Sequence, residues 1–340
     1  CAGDSGESIE TPASDVTTTV DMVGEPPPTL PPTTTTEAAE PWPGELQEED
    51  VFLVAQDLRY GEERVGHHPR LVDLFVPKGE GPWPVAIAYH AHPQYNTKTT
   101  LYQLGRSLAE AGVLTFVPNW GGSGVSEPEA IREWISGEKC TYWYAFEHAP
   151  LIGGDPEDIT LIGFSGGVNE VLNLTMSGGD EDYGCASPPV PVAASALVLF
   201  EGDYLLAPWW DAVLEADPDL YEDWAVWHHF DEYGNGPIHV LVDRKTGESM
   251  TYTVNETLAA GRTMDDYMAL RDPDGSLETD LTELGAFDDG DIDLIEMSKL
   301  FQLRATEAGH EVTWTEIEQA SHTMTPAARD AIVSLVIGEG

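Results

Sequence analysis

The sequence predicts an α/β fold: a mainly parallel, eight-stranded sheet with helices on both faces. Three observations carry this. Short apolar, β-branched runs alternate with longer helical patterns along most of the chain, and such alternation implies right-handed crossovers. One strand-like run passes into a helix-like run through a single glycine-flanked serine turn. No internal repeat or second boundary interrupts the pattern, so one domain over 47–340 accommodates it.

Residues 1–46 stand apart. They are rich in Thr, Pro and acids, with no Lys or Arg before Arg59 and no aromatic before Trp42. Such a segment buries too little apolar surface to offset the entropy of ordering, so a disordered tether is expected. Strands are then expected at VFLVAQ, LVDLFVP, PVAIAYH, LTFVPNW, ITLIGFS, ALVLFEG, IHVLVD and VTWTEIE. These are β-branched runs of strand length. Helices are expected at TLYQLGRSLAEAG, EAIREWISGEKCTYWYAFEHA, GGVNEVLNLTM, DLIEMSKLFQLRATEAG and TPAARDAIVSLVI. Longer insertions follow the sixth and seventh strands.

Composition narrows the partners. The chain carries 61 acidic and 15 basic side chains among 340 residues, a formal charge of −46. Nucleic acid is excluded as a partner, because binding it needs cations to displace phosphate counterions. Anionic headgroups are repelled for the same reason. No apolar run approaches the about 18 residues that read as a membrane span. Such self-repulsion suits a salty medium, where a Debye length of about 8 Å or less screens it.

The most informative stretch is DPEDITLIGFSGGVNEVLNLTM. It sets Gly163-Phe164-Ser165-Gly166-Gly167 between a buried strand and a helix. The G-x-S-x-G pattern alone is weak, with about 0.15 chance occurrences expected at this composition. The strand–turn–helix setting strengthens it, since a sharp elbow needs small residues around a projecting serine. The N–H of Gly166, at a helix N-terminus, can face a developing oxyanion.

On these residues the chain resembles the α/β-hydrolase family, especially its bacterial esterases and lipases. RLVDLFVP and PVAIAYHAHP resemble its entry strands and oxyanion loop, and EVTWTEIEQASHTMTPAARDAIVSLV resembles its closing strand, histidine loop and final helix. The resemblance covers nearly everything after the tether. It implies Ser165 as nucleophile, His322 as general base, and Ser, acid, His as chain order. It also implies backbone donors at Gly166 and His92. His90-Ala91-His92-Pro93 departs from the family's H-G-G-G, and Pro93 has no N–H to offer. No metal is expected at His90 and His92, nor any organic cofactor. The remaining histidines singled out, His228, His229, His239 and His310, are expected on the surface or in packing.

The acid is the least legible member. The family usually places it after the seventh strand, which here ends near Asp243, and Thr246 stands where Asp is often found. Counting back from Ser298 puts the acid near Gly290, and Asp289 is the expected residue. Asp243, Glu248 and Asp291 stay open as alternatives.

Cys1, followed by small residues and a Thr/Pro-rich spacer, resembles the lipid-bearing Cys of a mature bacterial lipoprotein. An extracytoplasmic chain, lipid-anchored or secreted, is expected, touching a membrane only through that anchor. Cys140 and Cys185 are expected to form a disulfide, worth about 4 kcal/mol in the chain-entropy model. Trp209, Trp210, Trp224 and Trp227 suit either an acyl-pocket wall or core packing. FDDGDIDLIE matches half of a calcium loop, but Gly285 and Phe287 fill its first ligand positions, so no calcium site is expected.

The expected function is carboxylic-ester hydrolysis through an acyl-enzyme, by a monomer acting on a small or lipid-like ester. The alternatives are a peptidase or amidase on the same fold, or a catalytically impaired binding lipoprotein.

Overall fold

In the computed structural model, the described residues are 44–63, 68–92, 96–121, 128–176, 184–202, 204, 229–230, 233–234, 236–248, 250–253, 291–319 and 321–338. Cys1, Pro93, Trp209, Trp210, Trp224, Trp227, His228, the half calcium loop through Gly290, and Asp289 lie outside them.

The strands are β1 (Gln47–Glu48), β2 (Phe52–Arg59), β3 (Leu71–Pro77), β4 (Trp83–Tyr89), β5 (Leu114–Pro118), β6 (Gly154–Phe164), β7 (Ala196–Phe200), β8 (Ile238–Asp243), β9 (Thr251–Thr253), β10 (Asp291–Asp293) and β11 (Val312–Ile317). The helices are α1 (Tyr102–Glu110), α2 (Pro128–His148), α3 (Gly166–Met176), α4 (Arg244–Gly247), α5 (Leu294–Glu307) and α6 (Pro326–Val336). The main sheet runs β1-β2-β3-β5-β4-β6-β7-β8-β11. From β5 to β11 every neighbour is parallel, while β1, β2 and β3 pair antiparallel at one edge.

Among the described residues the sheet has nine strands, where eight were expected. The extra strand, β1, is two exposed polar residues, QE, with no apolar signal to announce it. The antiparallel hairpin β9–β10, which spans the insertion after β8, was also unannounced. Its strands are three residues each, too short for an alternation to show.

Period-two alternation divides the core. Val85, Ile87, Leu161, Leu197 and Leu199 face one side with Val168, Val171 and Leu172 of α3, Tyr142 of α2 and Leu300 of α5. Ala86, Ala88, Ile162, Val198 and Phe200 face the other, under Leu104 and Leu108 of α1 and Ala328 and Ile332 of α6. Helix α3 is buried on nearly all sides, with the polar Asn169, Glu170 and Asn173 enclosed along with its apolar residues.

Local chemistry sets the helix ends. Asp293 and Glu296 form a reciprocal capping box at α5. Thr325 caps α6 ahead of Pro326. A disulfide joins Cys140 on α2 to Cys185, and Cys185 itself bridges to Gly61 beside β2. The helix packed behind α3 is thus tied to the edge of the sheet.

Candidate active site

Strand β6 ends at Phe164, α3 begins at Gly166, and Ser165 between them takes φ 54°. This left-handed backbone costs an L-residue of order 1–3 kcal/mol and persists only where its surroundings enforce it. Here the Ser165 N–H donates to the Phe200 carbonyl at 2.8 Å, and the Ser165 carbonyl accepts from Val168 at 2.9 Å. The glycines follow from close approach. A side chain on Gly163 would begin 2.6 Å from the Gly167 carbonyl oxygen, and one on Gly167 would begin 2.3 Å from the Tyr89 carbonyl oxygen. A bare Gly163 lets the start of α3 fold back on β6, and a bare Gly167 lets it press against the end of β4.

His322 lies between β11 and α6 and brings both ring nitrogens into use. Nε2 is 2.8 Å from Ser165 Oγ, and Nδ1 is 2.7 Å from Oε2 of Glu201. An ionised carboxylate only accepts, so Nδ1 donates and Nε2 is left to accept the serine proton. The ring packs 5.1 Å from Phe164, which itself stacks on Phe200. These two aromatic rings close the hydrocarbon side of the relay.

Glu201 is the first residue after β7. It also has a positive φ, 51°, its N–H donates to the Leu241 carbonyl, and its side chain is 1% exposed. Burial pushes its carboxyl above the ordinary value; the His322 bond pulls the other way, and the Asp243 charge adds to the rise. A carboxylate held in so dry a place gains most when the facing imidazole becomes charged.

Among the described residues the carboxylate beside the ring is that of Glu201. Asp289 lies outside the described residues, and the ring nitrogen it was expected to hold is occupied by Glu201. The alternatives stand elsewhere. Glu248 is exposed and pairs with Arg244 at 3.1 Å, Asp291 sits in the β9–β10 hairpin opposite Thr253, and Asp243 binds Thr246, Lys245, Gln319 and Ser321. Sequence reasoning missed Glu201 although a signal was present. ALVLFEG places an acidic residue at the C-terminal end of a parallel strand, the end where such sheets build their sites.

The loop after β4 approaches the elbow directly. A Gly166 side chain would begin 3.0 Å from both the backbone N and the Cα of His92, so the backbones of His92 and Gly166 stand side by side next to Ser165. His90, one step inward, is fully buried. Its ring stacks on Trp120 at 5.3 Å, its carbonyl accepts from Trp120 Nε1, and burial pushes its imidazole down to about 3. His90 is therefore a neutral packing residue. Beyond the loop, Lys98 is pinned by its N–H to Asn119 at 2.9 Å and by ion pairs with Asp73 and Asp57. His239 and His310 serve packing, bound to Thr313 Oγ1 and the Phe230 carbonyl.

No family model matches the chain, and no curated protein matches it by sequence. Solved structures do match. Esterase B from Lactobacillus Rhamnosis superposes with a TM-score of 0.57 at 11% identity, over 86% of this chain and 87% of its own. A truncated carbohydrate esterase from gut microbiota gives 0.54 at 13% identity, over 87% and 99%. A thermophilic esterase from the planctomycete Thermogutta terrifontis gives 0.54 at 14% identity, over 83% and 93%. The chain has an esterase-like α/β fold. At such identities the likeness carries the architecture, and the chemistry has to be argued from the residues of the site.

Proposed function

We propose that the protein is a serine hydrolase that cleaves carboxylic esters through an acyl-enzyme. The observation that carries this is the unbroken relay from Ser165 Oγ through both nitrogens of His322 to Glu201 Oε2, set on a strained elbow. Ser165 Oγ attacks the ester carbonyl while His322 Nε2 takes its proton. Glu201 stabilises the resulting imidazolium, which then passes the proton to the leaving alcohol. The backbone N–H groups of Gly166 and His92 are assigned to the oxyanion, a contribution of about 3 kcal/mol for one such donor. Water, activated by the same imidazole, then releases the acid and restores Ser165.

Two further facts support the reading. One of the similar structures is that of esterase B from Lactobacillus Rhamnosis with a tributyrin phosphonate inhibitor, a class of reagent that traps an activated serine. The disulfide between Cys140 and Cys185 supports an oxidising, extracytoplasmic location.

The test is a fluorophosphonate label together with p-nitrophenyl esters of graded chain length, run beside aminoacyl anilides. Wild type is expected to label and to turn over esters. Ser165→Ala is expected to lose labelling and about 10⁶-fold in turnover while staying folded. Activity retained within about tenfold defeats the nucleophile. Faster turnover of anilides than of esters makes the protein an amidase.

A further inference from the structure

Asp243 ends β8, the strand beside the one that ends at Glu201. It stands where the resembling family usually carries the triad acid, yet among the described residues its carboxylate bonds four groups other than the imidazole ring. Oδ1 accepts the N–H groups of Lys245 and Gln319, each at 3.2 Å. Oδ2 accepts the Thr246 hydroxyl at 2.7 Å and the Ser321 N–H at 3.2 Å. Gln319 and Ser321 belong to the loop that carries His322, and Ser321 is its immediate neighbour. Two buried carboxylates at adjacent strand ends thus grip one histidine differently, Glu201 by the ring and Asp243 by the backbone.

The arrangement is chemically coherent. Burial pushes the Asp243 carboxyl up, but the bonds from Thr246, Gln319, Ser321 and Lys245 outweigh it and hold the group below its ordinary value. It stays ionised and acceptor-only, as four donors require. Within that loop the Gln319 side chain reaches to Ser321 and Thr323, the Ser321 and Thr323 hydroxyls bond one another, and Thr325 donates to Gln319.

We propose that Asp243 is a positioning residue for His322, its carboxylate fixing the backbone ahead of the ring so that the ring spans Ser165 and Glu201. The inference rests on the serine-hydrolase reading for what the ring does once placed.

An asparagine makes the sharpest probe. Its single oxygen can keep Lys245 and Gln319, and its amide can donate to the Thr246 hydroxyl. The Ser321 N–H is then left facing another donor. A shift of about 1 Å in a catalytic group can cost about 10²-fold. The Asp243→Asn chain is therefore expected to lose about 10²-fold in kcat with KM within about twofold. A merely structural defect would not single out the ring, so the second readout is the downfield proton resonance of His322 Nδ1–H. That signal should be sharp in wild type, absent in Glu201→Gln, and broadened in Asp243→Asn.

A sharp signal with kcat within about twofold of wild type overturns the proposal. So does a loss near 10⁴-fold with the signal gone, because Asp243 would then be the acid itself. If Asp243→Asn does not fold, Thr246→Val, which removes one of the two donors to Oδ2, takes its place. It is expected to broaden the signal and lower kcat about threefold, and values equal to wild type overturn the proposal. The resonance needs no substrate. A wild type that neither labels nor hydrolyses esters ends the serine-hydrolase reading, while the signal still decides what Asp243 does.

Discussion

Glu201 and Glu138 are both buried carboxyls, and burial is the main force raising each above its ordinary value. Their counterparts differ. Glu201 faces His322, which can become a cation. Glu138, on α2, faces Glu170 on α3, a second acid that raises it further, with Lys139 and Arg70 acting weakly the other way. Among the described residues neither carboxyl oxygen of Glu138 meets a donor. A proton retained on one of the two acids supplies that donor, and like charges so close cannot both ionise. The same desolvation thus sets one carboxyl against an imidazole and the other against a second acid. What a buried carboxyl does is decided by what it faces.

The comparison can be sharpened first through the disulfide. Cys140 lies two residues beyond Glu138 on α2 and holds that helix to Cys185. Removing it with a Cys140→Ser/Cys185→Ser double change should lower stability by up to about 4 kcal/mol, read by chemical denaturation. The Ser165–His322–Glu201 relay lies on other elements, so kcat below the melting range should stay within about twofold of wild type. A large loss of kcat with little loss of stability would mean that the relay and the packing of α2 are not separate.

A smaller effect is expected from Glu138→Gln. Because the folded-state pKa of Glu138 is raised, the stability it brings is complete below the unfolded value of about 4.3 and is lost as pH rises through the folded one. Glutamine donates to Glu170 without needing a proton. The variant should therefore melt higher than wild type at alkaline pH, by about 2–4 °C per kcal/mol recovered, and the gap should close towards pH 5. A gap that is flat or reversed with pH would remove the shared proton.

Salt separates the buried pair from the surface. With 61 acidic and 15 basic side chains, wild type should gain thermal stability between low and molar NaCl as screening weakens the surface repulsion. The advantage of Glu138→Gln should survive in molar salt, since buried charges are screened much less. An advantage that vanishes with salt would place its origin on the surface.

Which parts were legible in the sequence follows from the same distinction between local and distant causes. The Ser165 elbow was readable because strand, turn and helix are contiguous, and each glycine answers to a neighbour a few residues away or to the next strand. The eight longer strands were readable because each carries a mostly apolar, β-branched run of strand length. His322 was readable from its place between the last strand and the last helix. Glu201 was not, because what selects it is the register that sets Glu201 beside Leu241 and the approach of His322 from beyond the last strand. That relation joins residues 121 apart and leaves no local pattern. Asp243 was noticed for its position at a strand end, yet its bonds to Gln319 and Ser321 depend on β8 pairing with β11. The strands β1, β9 and β10 escaped because two or three residues cannot display a period.

The central claim is that Glu201 completes the relay, and Glu201→Gln tests it most directly. The raised pKa means that the ionised group costs stability above the unfolded value of about 4.3, so a neutral isostere should melt no lower than wild type near pH 8. Turnover, in contrast, should fall about 10⁴-fold, because a glutamine no longer holds His322 in the right tautomer or stabilises its charged form. Measured side by side, kcat for Glu201→Gln should drop by that factor with an unchanged or higher Tm, while Asp289→Asn stays near wild type. A Glu201→Gln enzyme within about tenfold of wild type, or an Asp289→Asn enzyme that loses more than it does, would contradict the account.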